Sequence, residues 1–293
     1  MTQLILQSAV SGLLVGGMYG LVALGLALAF GVLKVLNVAH GELLMLGGYA
    51  SFFAFTLWGI DPFLSLPLVF IALFLFGVFL YQILFRYVTR FEIDNRIKNS
   101  LLISFGLVIV LQALAVRFFT ADERTISTSY SSDAFTIGLV RIPVVRLAGF
   151  VVAVIAAVAL EWLLNRTRFG RAVRATAEDW TRAALTGVDV KWVYMIAFGI
   201  SAGLAGIAGS MISFGYAVSP SIGLGWTLKA LVVVVLAGLG SMRGILLAGM
   251  FLGLTEALAA VWVGGAYREV VALVVFLIVM SFRPEGFFGR ARA

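Results

Sequence analysis

Few residues in this chain could take part in chemistry. It has no Cys and a single His among 293 residues. Disulfides, iron–sulfur clusters and thiolate metal sites are therefore excluded, and a protein-built metal centre has too few ligands. No G-x-x-x-x-G-K-[ST] stretch occurs, so ATP hydrolysis would have to take place on another chain. No H-E-x-x-H or catalytic acidic pair is present either. What remains is a short set of polar groups in apolar surroundings. Lys229 and Glu256 are the base and acid that fall inside apolar runs, where an ionisable side chain is costly and faces a cavity or a partner. On a helix rising 1.5 Å per residue they would lie roughly 4–5 and 10 Å below the outer ends of their runs. The pair is expected to bridge if those runs are neighbours; the alternative is two separately hydrated side chains. Asn37, His40 and Glu42 cluster where the second apolar run begins. Two roles are open to them: part of an inner gate, or the plainer one of satisfying free backbone groups at helix ends. Gln112 is suited to a neutral bond between helices.

The elements that position these groups are set by composition. The chain is 62% hydrophobic and 12% charged, with a mean hydropathy of +1.10, against about 25% charged residues in an ordinary soluble domain. It is an integral, polytopic membrane protein. A single-pass receptor, a secreted domain and a nucleic-acid-binding protein are excluded, and the net charge of +7 is a topology signal. Met1-Thr2-Gln3 carries no basic n-region, so no cleaved signal peptide is expected. Apolar runs cover about 4–33, 41–59, 63–87, 99–118, 144–164, 192–213, 226–239, 244–263 and 267–282, all helical because lipid leaves no backbone group unpaired. The first is too long for one straight span: tilted, broken near Gly16-Gly17, or two segments. The seventh is too short, hence broken, re-entrant or continuous with its neighbour. The expected fold is an all-α polytopic bundle of about eight or nine spans, with broken or re-entrant Gly-rich segments, in one domain over 1–293.

Fifteen of the 21 Lys and Arg fall on one side of this map, from Lys34, Arg86, Arg90, Arg96 and Lys98 through the run Arg166–Lys191 and Arg243 to Arg283, Arg290 and Arg292. That side is cytoplasmic, with the 165–191 loop and the C-terminus, and the 119–143 loop is outside. Gly12, Gly16 and Gly20, then Gly199, Gly203, Gly206 and Gly209, then Gly249 and Gly253 form small-residue stripes suited to close helix packing. Trp58, Trp192, Trp226 and Trp262 near run ends read as interfacial anchors, and Pro220 as an external turn. His40–Leu44 and Arg243–Leu247 echo each other weakly, as internal repeats of transporters do.

The 167–188 loop is Ala-rich and is expected to be helical over about 170–185, with Arg174/Glu178 and Glu178/Arg182 at i,i+4 spacing and Gly187 as a stop. Composition alone allows a solvated surface loop or a docking helix for a soluble partner. In the form G-R-A-x-R-A-x-A-x-D-x-x-x-A-x-x-x-G-V it resembles the cytoplasmic coupling loop of ABC importer permeases. Asn37-Val38-Ala39-His40-Gly41-Glu42 resembles the N-x-A-H-G-E signature of Liv-type, branched-chain amino-acid importer permeases, closest to their H-type subunit. Gly238-Leu239-Gly240-Ser241-Met242-Arg243-Gly244 and the ending Arg283-Pro284-Glu285-Gly286-Phe287-Phe288-Gly289 are similar to further segments of that family, in the expected order along the whole chain.

The resemblance implies an inner-membrane permease that pairs with a second, homologous permease, two cytoplasmic ABC ATPases holding ATP and Mg, and a periplasmic substrate-binding protein. The chain itself would carry no cofactor, no metal and no nucleic acid. Its substrate would be an amino acid, branched-chain foremost, or a related small polar solute. Gly170, Arg171, Arg174, Ala175, Glu178, Asp179, Ala183 and Gly187 would form or frame the ATPase contact. Asn37, His40 and Glu42, with Gly238, Gly240 and Gly244, would line or gate the cytoplasmic half of the path, and Lys229 and Glu256 would border it. A stand-alone secondary transporter or facilitator is the alternative, and a membrane scaffold that transports nothing is a third reading.

Overall fold

Among the described residues the nine apolar runs become nine apolar helices. The computed structural model describes residues 1–138, 140–238 and 241–289. In chain order the helices are α1 (Thr2–Leu33), α2 (His40–Trp58), α3 (Pro62–Val88, with a π turn over Tyr81–Phe85), α4 (Ile93–Phe119), α5 (Val144–Arg166), α6 (Arg168–Glu178), α7 (Trp180–Leu185), α8 (Val190–Gly215), α9 (Ile222–Ala237), α10 (Met242–Trp262) and α11 (Arg268–Phe282). Among the described residues seven, α1, α3, α4, α5, α8, α10 and α11 taken with the turn Gly265–Tyr267 before it, are long and apolar enough to cross a bilayer. The chain forms the all-α polytopic bundle its composition calls for.

Small residues decide which helices sit inside. α1 and α8 are buried over most of their length, whereas α3, α4, α5 and α11 turn most of their apolar surface outward, as helices bathed in lipid do. The two glycine stripes of α1 and α10 face each other: Gly12 abuts Gly253, and Gly16 abuts the backbone at Gly249 and Met250. Gly47 of α2 lies against Gly206 of α8, while Gly199 and Gly203 receive the rings of Phe74 and Phe70 from α3. Close backbone approach replaces the hydrophobic drive that is missing between helices in lipid.

α1 is one unbroken helix of 32 residues, roughly 48 Å long; Gly16-Gly17 does not break it, because both glycines are buried in packed contacts. It ends at Lys34, whose φ of +56° reverses the chain. Residues 34–39 then run back beside α1, and α2 begins next to Val22, with His40 Nε2 3.1 Å from the Val22 carbonyl. That is eleven residues, roughly 16 Å, above the end of α1. His40 and Glu42 therefore sit deep within the molecule, not at its basic end as expected. Hydropathy could not show this, because a returning strand buried in protein has the same composition as a span.

α9 is the second short element. Past Gly215, residues 216–221 fold inward with Val218 against Gly48, and α9 starts beside Glu42. It is a separate 16-residue helix, not a continuation of α10. Thr227 Oγ1 accepts from the Gly41 amide at 2.8 Å and lies 3.1 Å from the Val38 carbonyl. The N-termini of α2 and α9 thus meet inside the protein, tied by backbone groups that the broken chain leaves free. At the opposite end from the basic loops, residues 120–143 close over α2, α3 and α8. They include an unforeseen antiparallel hairpin, β1 (Ala134–Ile137) with β2 (Val140–Pro143), pinned to α1 by Gln7, whose side chain bonds both the amide and carbonyl of Arg141.

Candidate functional site

Two polar clusters interrupt the apolar interior. The first lies between the outer halves of α1, α9, α10 and α11. Lys229 Nζ is 3.3 Å from Glu256 Oε1 and 3.1 Å from Glu269 Oε1. Tyr19 donates to Glu256 Oε2 at 2.7 Å, and its ring lies 5.0 Å below the Lys229 ammonium. A lysine flanked by two carboxylates and a tyrosine is fully compensated. The structure brings Lys229 and Glu256 together and adds Tyr19 and Glu269, which sequence reasoning missed. Glu269 stands in the first turn of α11, and its reach across to α9 has no sequence signature. The cluster forms one wall of an open cavity of about 430 Å³, also lined by Gly12, Val15, Arg146, Tyr216, Trp226 and Arg268, within the usual size for a small-molecule site. Trp226 is no interfacial anchor: it is buried, edge-on to Tyr19 and Tyr216. Trp58 and Trp262 are exposed at helix ends, as expected.

The second cluster is where α2 meets α9. Asn37 Oδ1 accepts from the Ala39 amide at 3.1 Å, a local helix-end bond. His40 and Glu42 are fully buried. Glu42 does not cap its own helix. It accepts from Gln112 of α4 at 3.1 Å and packs on Gly223, where any side chain would collide with the carboxylate. His40 Nδ1 and Glu42 Oε2 have no hydrogen-bond partner among the described residues. Among those residues no group of three or more His, Asp or Glu is placed to hold a metal ion.

At the basic end, the loop between α5 and α8 is two helices, not one. Asp179 makes the break: its carboxylate accepts from the Thr181 and Arg182 amides at 2.9 and 3.0 Å and caps α7. The expected Arg174/Glu178 and Glu178/Arg182 pairs are not formed among the described residues. Arg182 pairs with Asp179 at 3.0 Å, and Arg174 binds the Leu164 carbonyl. Gly170 is buried because a side chain there would strike the carbonyls of Leu163 and Leu164, and Ala183 is buried under the loop. Arg171, Arg174, Ala175, Glu178 and Gly187 are exposed, and Gly187, at φ +86°, ends the loop. Leu185 is 84% exposed, with Trp180 beside it half exposed, so an apolar edge faces outward.

A membrane bundle with a two-helix basic loop and a charged outer cavity suits transport, and comparison with known proteins decides the family. Residues 8–280 match the model of the branched-chain amino acid transport system / permease component family. The chain belongs to this family. It is 33% identical to the high-affinity branched-chain amino acid transport system permease protein BraD of Pseudomonas aeruginosa, over 97% of this chain and 96% of that protein. It is 29% identical to LivH of Escherichia coli K12 over the same shares, and 25% identical to a probable LivH of Methanocaldococcus jannaschii over 98% and 92%. The permease is thus a multi-pass inner-membrane translocation subunit of an ABC importer, not an enzyme.

Within this permease Gly238 and Gly244 are packed against other residues. Gly238, at φ +84°, is in contact with Glu285, Gly286 and Gly289, and Gly244 is covered by the Phe288 ring. Phe287 and Phe288 donate their amides to the last carbonyls of α9, at Leu236 and Ala237. The Arg283–Gly289 ending is therefore the clasp of the α9–α10 break, and Gly238 and Gly244 are shaped to admit it. Gly240 lies outside the described residues.

One further residue escaped the sequence reading. Arg96, counted only as a basic residue of the cytoplasmic side, is 1% exposed and gives its guanidinium to the carbonyls of Leu33, Thr89 and Phe91 and to the Tyr194 hydroxyl. The available signal was spacing: Arg96, Ser100 and Ser104 recur every four residues on an otherwise apolar helix.

Proposed function

We propose that this permease is one of two homologous membrane subunits that together import amino acids, branched-chain ones foremost, with the 165–191 loop facing the cytoplasm. Two ABC ATPases would dock on α6 and α7 and supply the energy from Mg-bound ATP, and a periplasmic binding protein would deliver the substrate. The observation that carries this reading is the outer cavity. It sets cations (Lys229, Arg146, Arg268) and carboxylates (Glu256, Glu269) around an aromatic and apolar wall. An α-amino acid offers a carboxylate, an ammonium and an apolar side chain to such a surface, and can compete for either half of the Lys229–Glu256 pair. The printed names of BraD and LivH favour branched-chain side chains. Asn37, His40 and Glu42 would form the inner constriction below that cavity, where two helix N-termini meet, as in transporters built on discontinuous helices. Arg171, Arg174, Ala175, Glu178 and Asp179 would contact the ATPase, while Gly170, Ala183 and Gly187 would shape the loop that presents them.

The test is purification of the tagged chain from its host membrane, followed by reconstitution. An ABC ATPase and a second permease are expected to co-purify, and proteoliposomes should take up labelled leucine only with ATP inside and binding protein outside. Valine and isoleucine should compete. Leucine equilibration by the chain without any ATPase would establish a facilitator instead.

A further inference from the structure

α4 is a largely outward-facing helix, yet its inner face carries polar groups one turn apart: Arg96, Ser100, Ser104 and, two turns further, Gln112. Residues four apart are neighbours on a helix surface, and such a row winds slowly around the helix, so the stripe curves from Arg96 at one end to Gln112 at the other. Ser100 and Ser104 hold the returning segment that leads from α1 into α2, while Arg96 and Gln112 hold the helices at its two ends. Arg96 Nη1 donates to Leu33 O at 3.0 Å, the last carbonyl of α1. Ser100 Oγ accepts from the Leu36 amide at 3.0 Å, Ser104 Oγ donates to the Leu36 carbonyl at 3.4 Å, and Gln112 donates to Glu42 at 3.1 Å. Both backbone groups of Leu36 are thus satisfied by α4. Ser100 and Ser104 are fully buried at these contacts, where a backbone group that loses its bond is costly to leave unpaired, so the segment is expected to follow α4 when α4 moves.

The lower end of the stripe reaches the basic loop. The Arg96 guanidinium lies 5.9 Å from the Trp180 ring and 5.7 Å from the Tyr194 ring, within cation–π range. Trp180 is the first residue of α7 and is half exposed. Among the described residues Arg96 has no carboxylate in salt-bridge range; its donors go to backbone carbonyls and one hydroxyl. A planar fork bound at several points transmits displacement where a flexible lysine would not.

We infer that the α4 stripe is the linkage by which the α6–α7 loop drives the returning segment, with Arg96 as its positioning residue. The inference rests on the reading of that loop as the ATPase contact. A load on α7 moves Trp180 against the guanidinium. Arg96 carries the shift to the end of α1 and the reversal at Lys34, and the two serines carry it to Leu36.

The test uses the absence of native cysteines. With the partner subunits of the assembly cleared of accessible cysteines, Ala39→Cys gives this chain a single thiol, in the returning segment where Ala39 is fully buried. Its modification by a small thiol reagent is expected to change about fivefold or more between nucleotide-free and ATP-trapped states, and Arg96→Lys, Trp180→Leu or Ser104→Ala should each reduce that change to about twofold or less. ATPase co-purification should persist. Trp180→Leu and Ser104→Ala keep the test decisive if Arg96→Lys does not fold. An undiminished response in these variants, with ATPase bound, overturns the linkage alone. Failure of the parent assembly to bind any ATPase overturns the coupling reading and the linkage with it.

Discussion

At the scale of single residues, the ionic cluster shows how surroundings set the worth of a charge. Glu256 is 6% exposed and shares its oxygens between Tyr19 and Lys229, whereas Glu269 binds the same lysine with most of its carboxylate in solvent. Lys229→Met should therefore cost about 3 kcal/mol by stranding a buried carboxylate. Glu269→Gln should cost at most about 1 kcal/mol. Equilibrium unfolding in mixed micelles separates the two, and equal losses would contradict the burial argument. Charge reversal extends the test to function. Lys229→Glu sets three carboxylates together and should abolish leucine uptake, Glu256→Lys should impair it, and the double reversal should recover it in part. A double variant as inactive as Lys229→Glu alone would show that the pair is not interchangeable and that one of its members has a private role.

At the scale of helices, glycine matters where backbones touch and hardly elsewhere. A methyl on Gly16 would meet the Gly249 carbonyl and Met250 Cα, while one on Gly106 of α4 would meet nothing. Gly16→Ala should destabilise the α1–α10 packing by about 2 kcal/mol or more, and Gly106→Ala should be neutral or stabilise by up to about 1 kcal/mol. Thermal unfolding of the two variants in one detergent gives the comparison. The outer loop is held by a different device. Tyr130 donates to Asp61 Oδ2 at 2.8 Å at the start of α3, and burial, reinforced by that bond, pushes its hydroxyl up to about 12. Because the folded value is raised, this anchor contributes fully below about pH 10, the ordinary tyrosine range, and is lost as pH rises through about 12. The wild-type chain should lose more stability than Tyr130→Phe between those pH values; parallel curves would remove Tyr130 from the account.

The same scale explains what the sequence could reveal. The nine runs agree with the apolar helices among the described residues because span hydrophobicity is a local property, and the facing stripes of α1 and α10 were visible as Gly12, Gly16, Gly249 and Gly253. Depth was not visible. Whether His40 lies at a surface or beside Val22 depends on a reversal at Lys34 that composition does not encode. The partners of Lys229 were half visible: Glu256 by its rarity within a span, Tyr19 and Glu269 only once α1 and α11 are placed. Arg96 was hidden by its type, since an arginine near a helix end reads as a solvated topology marker until its carbonyl partners are known.

At the scale of the whole molecule, the basic α6–α7 loop and the charged cavity stand at opposite ends of the bundle. The α6–α7 loop is anchored by buried features, Gly170 against the end of α5 and Ala183 on the buried face of α7, and presents Ala175, Glu178, Arg182 and Leu185 outward. This division makes substitutions in the loop unequal. Ala183→Trp would overpack a buried site and collapse the loop, so a loss of transport there would not identify a contact. Ala175→Trp adds its bulk at an exposed position beside a shallow groove shared with Glu178, Asp179 and Arg182. If the ATPase seats there, Ala175→Trp should leave insertion and thermal stability unchanged while lowering ATPase co-purification and uptake at least about tenfold, the scale of one interface contact replaced by a clash. Leu185→Ala, a deletion at the same edge, should weaken association less. Unaltered ATPase binding in Ala175→Trp would move the contact off this groove, leaving α7 and its Trp180 as the remaining route for force into the bundle.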